Sequence, residues 1–152
     1  MNARVCEGRG FMLRLWRALH MPRPSGDFLK LAAQARARTR RISPYEMVDL
    51  VEDDVLLLDV REKEEYAQGH LHGSIHVNRG VLEMRIGELV SDKAVPIVCY
   101  CNGDNRGALA AETLQKMGYQ RVFYLEGGMS AAQAAGLSIE PGKERWHEHT
   151  SG

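Results

Sequence analysis

The chain has 152 residues, 44% of them hydrophobic, which is enough for one domain with a single buried core. Its 20 lysine and arginine residues balance 20 aspartate and glutamate residues, so no long-range field attracts nucleic acid or a membrane surface. The chain has three cysteines, Cys6, Cys99 and Cys101, a small and odd number that argues against a disulfide framework. This cysteine content favours a reducing compartment, and we expect the cytoplasm.

The first apolar segment, "RGFMLRLWRALHM" (residues 9–21), is too short and too interrupted by Arg14 and Arg17 to span a bilayer or to act as a secretory signal. It weakly resembles an organelle transit peptide or a membrane-surface helix, but "MPRPSGD" after it indicates a flexible break. We expect residues 1–26 to be a disordered extension, and a start at Met21 would explain the segment equally well.

A leading helix is predicted over residues 27–41, with Asp27 as its N-cap. The arginines of "RARTRR" fall at its C-terminus, where the helix dipole favours cations. Surfaces that bind nucleic acid combine such basic residues with aromatic ones, and this run contains no aromatic residue, which disfavours a nucleic-acid site. The next stretch, "SPYE" (Ser43–Glu46), predicts a capping box that opens a second helix. The apolar face of the leading helix consists of Phe28, Leu31, Ala32 and Ala35.

From Val55 onward, short strand and helix patterns alternate. This order predicts an α/β domain over residues 27–138, with a mainly parallel central sheet flanked by helices on both faces, and a tail over residues 139–152. The predicted strands are residues 55–60, 74–77, 95–100 and 121–125; the predicted helices are residues 61–69, 80–90, about 106–118 and about 129–137.

The two cysteines of "VCYC" differ in their place on the predicted strand. Cys99 lies inside the apolar run and is expected to be a small buried hydrophobe. Cys101 lies at the carboxyl end, where ligands of parallel sheets bind, and is the candidate nucleophile. Core packing of both cysteines, a redox pair and a Cys-Tyr-Cys metal site are the alternatives, although a metal needs more ligands at recognisable spacing.

The loop after Cys101 is predicted to present backbone amides to an anion. Its residues tolerate tight and left-handed backbone, and the helix that begins near Arg106 adds its own free amides and dipole. These donors favour the thiolate form of Cys101. The predicted substrate-binding residues are Asn102, Gly103, Asp104, Asn105, Arg106 and Gly107.

Three segments together resemble the single-domain rhodaneses, a family of sulfurtransferases, over about residues 42–137. They are "LLLDVREKEEYAQGHLHGSIHV", "CNGDNRG" and "LEGGMSAAQAAGL". Rhodaneses carry a sulfane sulfur as a persulfide on the loop cysteine, so the resemblance assigns that role to Cys101. Cysteine phosphatases that share the fold have five residues between cysteine and arginine, whereas this loop has four, which disfavours phosphatase activity.

The chain departs from the rhodanese pattern at three positions: Asp104, Gly107 and Ala132 stand where glycine, serine and tryptophan are common. Asp104 matters most, because a carboxylate facing the pocket would repel an anionic donor. If Asp104 instead points to solvent or caps the following helix, it is structural.

Other polar residues have less specific patterns. Asp59, Arg61 and Glu65 are expected to form an ion pair that supports the strand end and the loop, with a general-base role for Asp59 or Glu65 as the alternative. A metal site is disfavoured for the histidines and for the tail sequence "WHEH", and the resemblance implies a structural hydrogen bond for His70. The histidines near the second strand are His70, His72 and His76.

The resemblance implies a sulfurtransferase that moves sulfur from thiosulfate or another persulfide donor to cyanide or a thiol. A sulfur-accepting protein is a further expected partner, whereas nucleic acid, membrane, metal and organic cofactor are not expected. Asp59 and Arg61 would support the site, and Arg106 would neutralise the donor or brace the loop. A catalytically weak binding or persulfide-carrier module is the alternative.

Overall fold

The computed structural model describes residues 23–50 and 54–142. The chain divides into two units, residues 1–30 and residues 31–152. The central sheet, its two hydrophobic cores and the candidate site belong to the second unit. Predictions for residues 1–22 and for "WHEH" lie outside the described residues. Within the described ranges, no helix has the length and apolar character needed to cross a membrane.

Helices and strands alternate along the described chain, as the sequence predicts. The helices are α1 (Gly26–Arg38), α2 (Pro44–Leu50), α3 (Lys63–Gln68), α4 (Leu82–Leu89), α5 (Asn105–Lys116) and α6 (Gly128–Ala134), with a 3₁₀ turn at Arg79–Val81. The strands are β1 (Arg40–Ile42), β2 (Leu56–Asp59), β3 (His70–Leu71), β4 (Ile75–His76), β5 (Ile97–Tyr100), β6 (Val122–Leu125) and β7 (Ile139–Glu140).

The central sheet has five strands in the order β1-β6-β5-β2-β4, and every pair is parallel. One face packs against α4, α5 and Ala35 of α1, which belongs to the second unit, and the other packs against α2 and α6. The predicted α/β fold, with a mainly parallel sheet covered on both faces, is therefore confirmed. In the register, Tyr100 of β5, Asp59 of β2 and His76 of β4 lie side by side, so the carboxyl ends of these strands meet at one edge.

The capping box of "SPYE" forms as predicted: the Glu46 amide donates to Ser43 Oγ at 3.2 Å, and the Ser43 amide donates to Glu46 Oε2 at 2.8 Å. The leading helix, predicted to reach residue 41, ends instead at Arg38. The Thr39 hydroxyl donates back to the Ala35 carbonyl at 2.8 Å, and the next three residues pair with β6 as edge strand β1. A strand of three residues is too short to reveal its period in the sequence.

Two short strands absent from the prediction form a second, antiparallel sheet. β3 pairs with β7, with His70 opposite Glu140 and Leu71 opposite Ile139. The first residues of the predicted tail thus belong to the fold, because they form β7, which pairs with β3 directly after α3.

Candidate active site

Cys101 lies directly after β5, at the carboxyl edge of the sheet, and is only 2% exposed. Its thiol donates to the Gly103 carbonyl oxygen at 3.3 Å. The Gly107 amide, in the first turn of α5, donates to Cys101 Sγ at 3.4 Å. The sulfur therefore sits at the base of the loop, beside the N-terminus of the helix that follows it.

The loop backbone has free hydrogen-bond donors. Within residues 23–50 and 54–142, the amides of residues 102–106 have no hydrogen-bond acceptor. Asn102 and Gly103 are exposed, so these donors are not sealed in the core. Free amides in a turn at a helix N-terminus can hold an anionic group without a charged side chain.

Cys99, two residues earlier on the same strand, has a different environment. It is fully buried in the core beneath α5, and burial, followed by the nearby charge of Cys101, raises the pKa of its thiol far above the ordinary value. Cys99 thus packs as a neutral hydrophobe, as the sequence predicts.

The Asp104 side chain takes none of the three orientations that the sequence suggests, which are toward the pocket, toward solvent and capping the following helix. The residue occupies the N-cap position of α5, yet its side chain makes no cap hydrogen bond there. Its Oδ1 atom instead accepts from the Gly127 amide at 2.6 Å, in the turn between β6 and α6. The carboxylate therefore ties the Cys101 loop to a neighbouring turn.

The start of α6 lies directly on the Cys101 loop. The Met129 amide donates to the Cys101 carbonyl at 2.8 Å, and the Ser130 amide donates to the Asn102 carbonyl at 3.3 Å. Gly128 has a φ of 53°, and a Cβ atom there would lie 2.5 Å from the Gly103 carbonyl oxygen and closer still to that of Cys101. Only glycine permits this approach.

Asp59 and Arg61 form a buried ion pair at the end of β2. Arg61 Nη2 lies 2.8 Å from Asp59 Oδ2 and also donates to the Gly69 carbonyl at 2.6 Å. Burial would lower the pKa of Arg61, but the hydrogen bonds and charge of Asp59 outweigh it and raise that pKa. Arg61 Nη1 donates to Asn102 Oδ1 at 3.1 Å, so the pair reaches the loop.

Arg106 is paired with Glu65 of α3 through two hydrogen bonds, of 2.7 and 3.0 Å. Burial would raise the pKa of Glu65, but the hydrogen bonds from Arg106 and the Glu62 amide hold it below the ordinary value. Glu65 Oε1 also accepts from Asn102 Nδ2 at 3.0 Å. Of the two predicted roles of Arg106, this geometry corresponds to bracing the loop, and Glu65 pairs with Arg106 rather than with Arg61.

Asn105 receives a contact that sequence reasoning missed: Arg36 Nη1 of α1 donates to Asn105 Oδ1. The sequence predicts only that the arginines of "RARTRR" lie at a helix C-terminus, and nothing in their spacing indicates that one of them reaches the loop. Gly107 packs tightly against β5, since a Cβ atom there would lie 3.2 Å from the Cys99 carbonyl oxygen. A larger residue at this position would require the strand backbone to shift slightly.

The histidines make structural contacts. His70 Nδ1 bonds the Tyr66 carbonyl at 3.0 Å, and its ring stacks on Tyr66 with centroids 3.7 Å apart. His76 Nε2 bonds the Arg61 carbonyl at 2.7 Å, whereas His72 is exposed and bonds Glu140. Across residues 23–50 and 54–142, no three histidine, cysteine, aspartate or glutamate side chains are grouped to hold a metal ion.

Comparisons with known proteins identify relatives of this chain. Residues 43–135 match the family model of the rhodanese-like domain. A protein of Allochromatium vinosum named "Sulfurtransferase" is 36% identical over 87 residues, which cover 57% of this chain and 79% of that protein. The "Putative sulfur carrier protein YrkF" of Bacillus subtilis is 35% identical over 78 residues, which cover 51% of this chain.

The match spans only 41% of YrkF, so the chain covers less than half the length of that relative. Among solved structures, the thiosulfate sulfurtransferase of Pseudomonas aeruginosa superimposes with a TM-score of 0.70 at 25% identity. The superposition covers 78% of this chain and 23% of that one. With a family match over most of the sheet, Cys101 at its carboxyl edge and a shared fold, the chain belongs to the rhodanese-like domain family.

Proposed function

We propose that this chain is a sulfurtransferase that carries a sulfane sulfur as a persulfide on Cys101. The observation that carries the proposal is the position of Cys101 Sγ, 3.4 Å from the Gly107 amide and at the base of a loop whose amides 102–106 lack acceptors among the described residues. Such donors stabilise a thiolate and then the charge of a persulfide. A reducing compartment such as the cytoplasm would keep the thiol available.

The reaction has two half-reactions. The Cys101 thiolate attacks the outer sulfur of thiosulfate, a Cys101–sulfur bond forms, the sulfur–sulfur bond of thiosulfate breaks, and sulfite leaves with its electron pair. Cyanide or a thiolate then attacks the terminal sulfur of the Cys101 persulfide, and the Cys101 thiolate returns. A persulfide donor reacts in the same way and leaves as its thiolate. Charge and sulfur balance in each step, and no other reactant is required.

The other polar residues position the loop. The Asp59–Arg61 pair holds Asn102, and the Glu65–Arg106 pair holds the start of α5 against α3. Because Glu65 neutralises Arg106, we assign the Arg106 side chain to bracing, and we assign binding of the donor chiefly to the backbone of residues 102–107.

Turnover tests the proposal. Purified protein is incubated with thiosulfate and cyanide, and thiocyanate is measured while both concentrations are varied. We expect thiocyanate with parallel double-reciprocal lines, the pattern of a substituted-enzyme mechanism. Absence of turnover with thiosulfate and with persulfide donors would contradict the enzymatic proposal.

A persulfide carrier is the second candidate, and the similarity to the sulfur carrier relative favours it. Such a module would accept one sulfur on Cys101 but would transfer it only to a protein thiol. Loading without thiocyanate production, followed by transfer to a thiol-bearing protein, would distinguish the carrier from the enzyme.

A further inference from the structure

Arg79, in the 3₁₀ turn after β4, has a polar atom without a partner. Its Nε atom is buried from solvent and makes no hydrogen bond with any described residue. The other such atom in the described chain, Glu112 Oε2, at least has an ion pair with Arg38 at 3.7 Å. A guanidinium nitrogen without an acceptor is costly to leave unsatisfied. Arg79 as a whole is only half-buried, so the outer part of its guanidinium group can meet a ligand.

Arg79 belongs to the same edge of the sheet as Cys101. Its amide donates to the Val60 carbonyl at 3.3 Å, and the Val60 amide donates to the Tyr100 carbonyl at 3.1 Å. Arg79, Val60 and Tyr100 thus follow one another across the carboxyl ends of three strands, and Cys101 comes directly after Tyr100. Two strand spacings are about 10 Å, a gap that an extended arginine and a small donor can bridge.

The charges at this edge set Arg79 apart. Arg61 is paired with Asp59 and Arg106 with Glu65, so the charge of each of these guanidinium groups is already balanced by a carboxylate. The segment also contacts an acid, since Asn78 Nδ2 donates to Glu62 Oε2 at 2.6 Å, but Arg79 forms no ion pair with any described residue.

We propose that Arg79 binds the oxyanion group of the sulfur donor, a sulfonate or a carboxylate, while Cys101 attacks the sulfane sulfur. The inference rests on the proposed function and adds a specificity-determining residue to it. The planar fork of an arginine suits two oxygens of such a group. The leaving fragment, sulfite or a carboxylate-bearing thiolate, would depart from Arg79 after the sulfur–sulfur bond breaks.

The test compares three donors on one set of proteins. Thiosulfate offers a sulfonate, mercaptoacetate persulfide a carboxylate, and mercaptoethanol persulfide an uncharged organic group of similar size. The rate of sulfur loading on Cys101 is followed by intact-mass spectrometry for wild type, Arg79→Met and Arg79→Lys. Arg121→Met is the matched control, because Arg121 is exposed and precedes β6 at the opposite end of the strands.

We expect Arg79→Met to load from mercaptoethanol persulfide at nearly the wild-type rate. From at least one oxyanion donor it should load roughly tenfold more slowly, about the effect of one charged hydrogen bond. The donor whose loading rate falls shows whether Arg79 binds a sulfonate or a carboxylate. Arg79→Lys should recover part of the lost rate. Arg121→Met should match wild type with all three donors.

Two results would overturn the inference while the proposed function stands: equal slowing with all three donors, which indicates a structural role for Arg79, or no slowing with any donor. If Arg79→Met fails to fold, the Arg79→Lys protein replaces it. Sulfur loading that is slowed equally with every donor in a folded Arg79→Lys protein would also indicate a structural role. Failure of the wild type to load from any donor would refute the proposed function, and the inference with it.

Discussion

Cys99 of β5 and Cys101, directly after β5, belong to the same core cluster, yet burial affects their chemistry differently. Cys99 is enclosed by core side chains, and its raised pKa keeps it neutral. Cys101 is almost as buried, but its sulfur contacts the Gly107 amide, which can stabilise negative charge. Position at the strand end, rather than exposure, therefore distinguishes the candidate nucleophile.

Substituting each cysteine separately tests this assignment. Cys101→Ser should gain no sulfur from any donor, because a serine hydroxyl is barely ionised at neutral pH. Cys99→Ser should load normally but lose about 1 to 3 kcal/mol of unfolding free energy, the cost of a buried hydroxyl without a partner. Intact mass and urea denaturation measure the two effects; sulfur appearing on Cys99 in the Cys101→Ser protein would reverse the assignment.

Asp104 is expected to act on stability, since its carboxylate accepts from the Gly127 amide. Asp104→Ala should lower the free energy of unfolding by about 0.5 to 2 kcal/mol, while Asp104→Asn, which retains an acceptor, should lose less. The ratio of kcat/KM values for thiosulfate and mercaptoethanol persulfide should stay unchanged. A rise of that ratio in both variants would mean that the carboxylate opposes anionic donors after all.

At the level of elements, the Cys101 loop is held from two sides. On one side, the Gly127 amide donates to the Asp104 carboxylate, and the amides of Met129 and Ser130 donate to loop carbonyls. Gly128 packs directly against these carbonyls. On the other side, α3 holds it through Glu65. The loop can thus leave its own amides free because neighbouring elements, rather than internal hydrogen bonds, fix its shape.

Gly128→Ala tests the first of these contacts. A Cβ atom there would strike the loop carbonyls, so the protein should lose about 2 to 4 kcal/mol of unfolding free energy and load sulfur more slowly. Gly136→Ala is the matched control, because Gly136 also has a positive φ, 80°, but a Cβ atom there meets nothing within 4 Å. Equal losses in the two variants would show that backbone conformation, not contact with the loop, determines the cost.

The Glu65–Arg106 pair should make stability depend on pH. The pKa of Glu65 is lower in the folded protein, so the pair stabilises the fold above the unfolded value, about 4.3, and this contribution disappears as pH falls through the folded value. At pH 7, Glu65→Gln should cost about 1 to 2 kcal/mol, and a double-mutant cycle with Arg106→Met should show coupling. A cost that persists unchanged at strongly acid pH would assign the effect to packing instead.

For the whole molecule, the sequence predicts the architecture well because apolar runs and glycines mark buried strands and helix ends over local windows. It also separates Cys101 from Cys99, since the rule that ligands bind at strand ends needs only the strand position. The edge strands β1 and β7 escape prediction, because a pairing of two or three residues depends on a distant partner strand.

The details of the site depend on contacts remote in sequence. Asp104 meets Gly127, Arg36 meets Asn105, and Glu65 meets Arg106 across 41 residues. A single sequence does not encode such pairings as a local pattern, although two adjacent glycines, Gly127 and Gly128, favour a turn at that point. The orphan nitrogen of Arg79 likewise becomes visible only when burial and partners are known together.

The most direct measurement is the mass of the intact wild-type protein after incubation with thiosulfate and removal of the excess, followed by peptide mapping. We predict the gain of one sulfur atom, located on Cys101 and removed by cyanide with the appearance of thiocyanate. An unchanged mass with thiosulfate and with every persulfide donor, or sulfur located on another residue, would contradict the account.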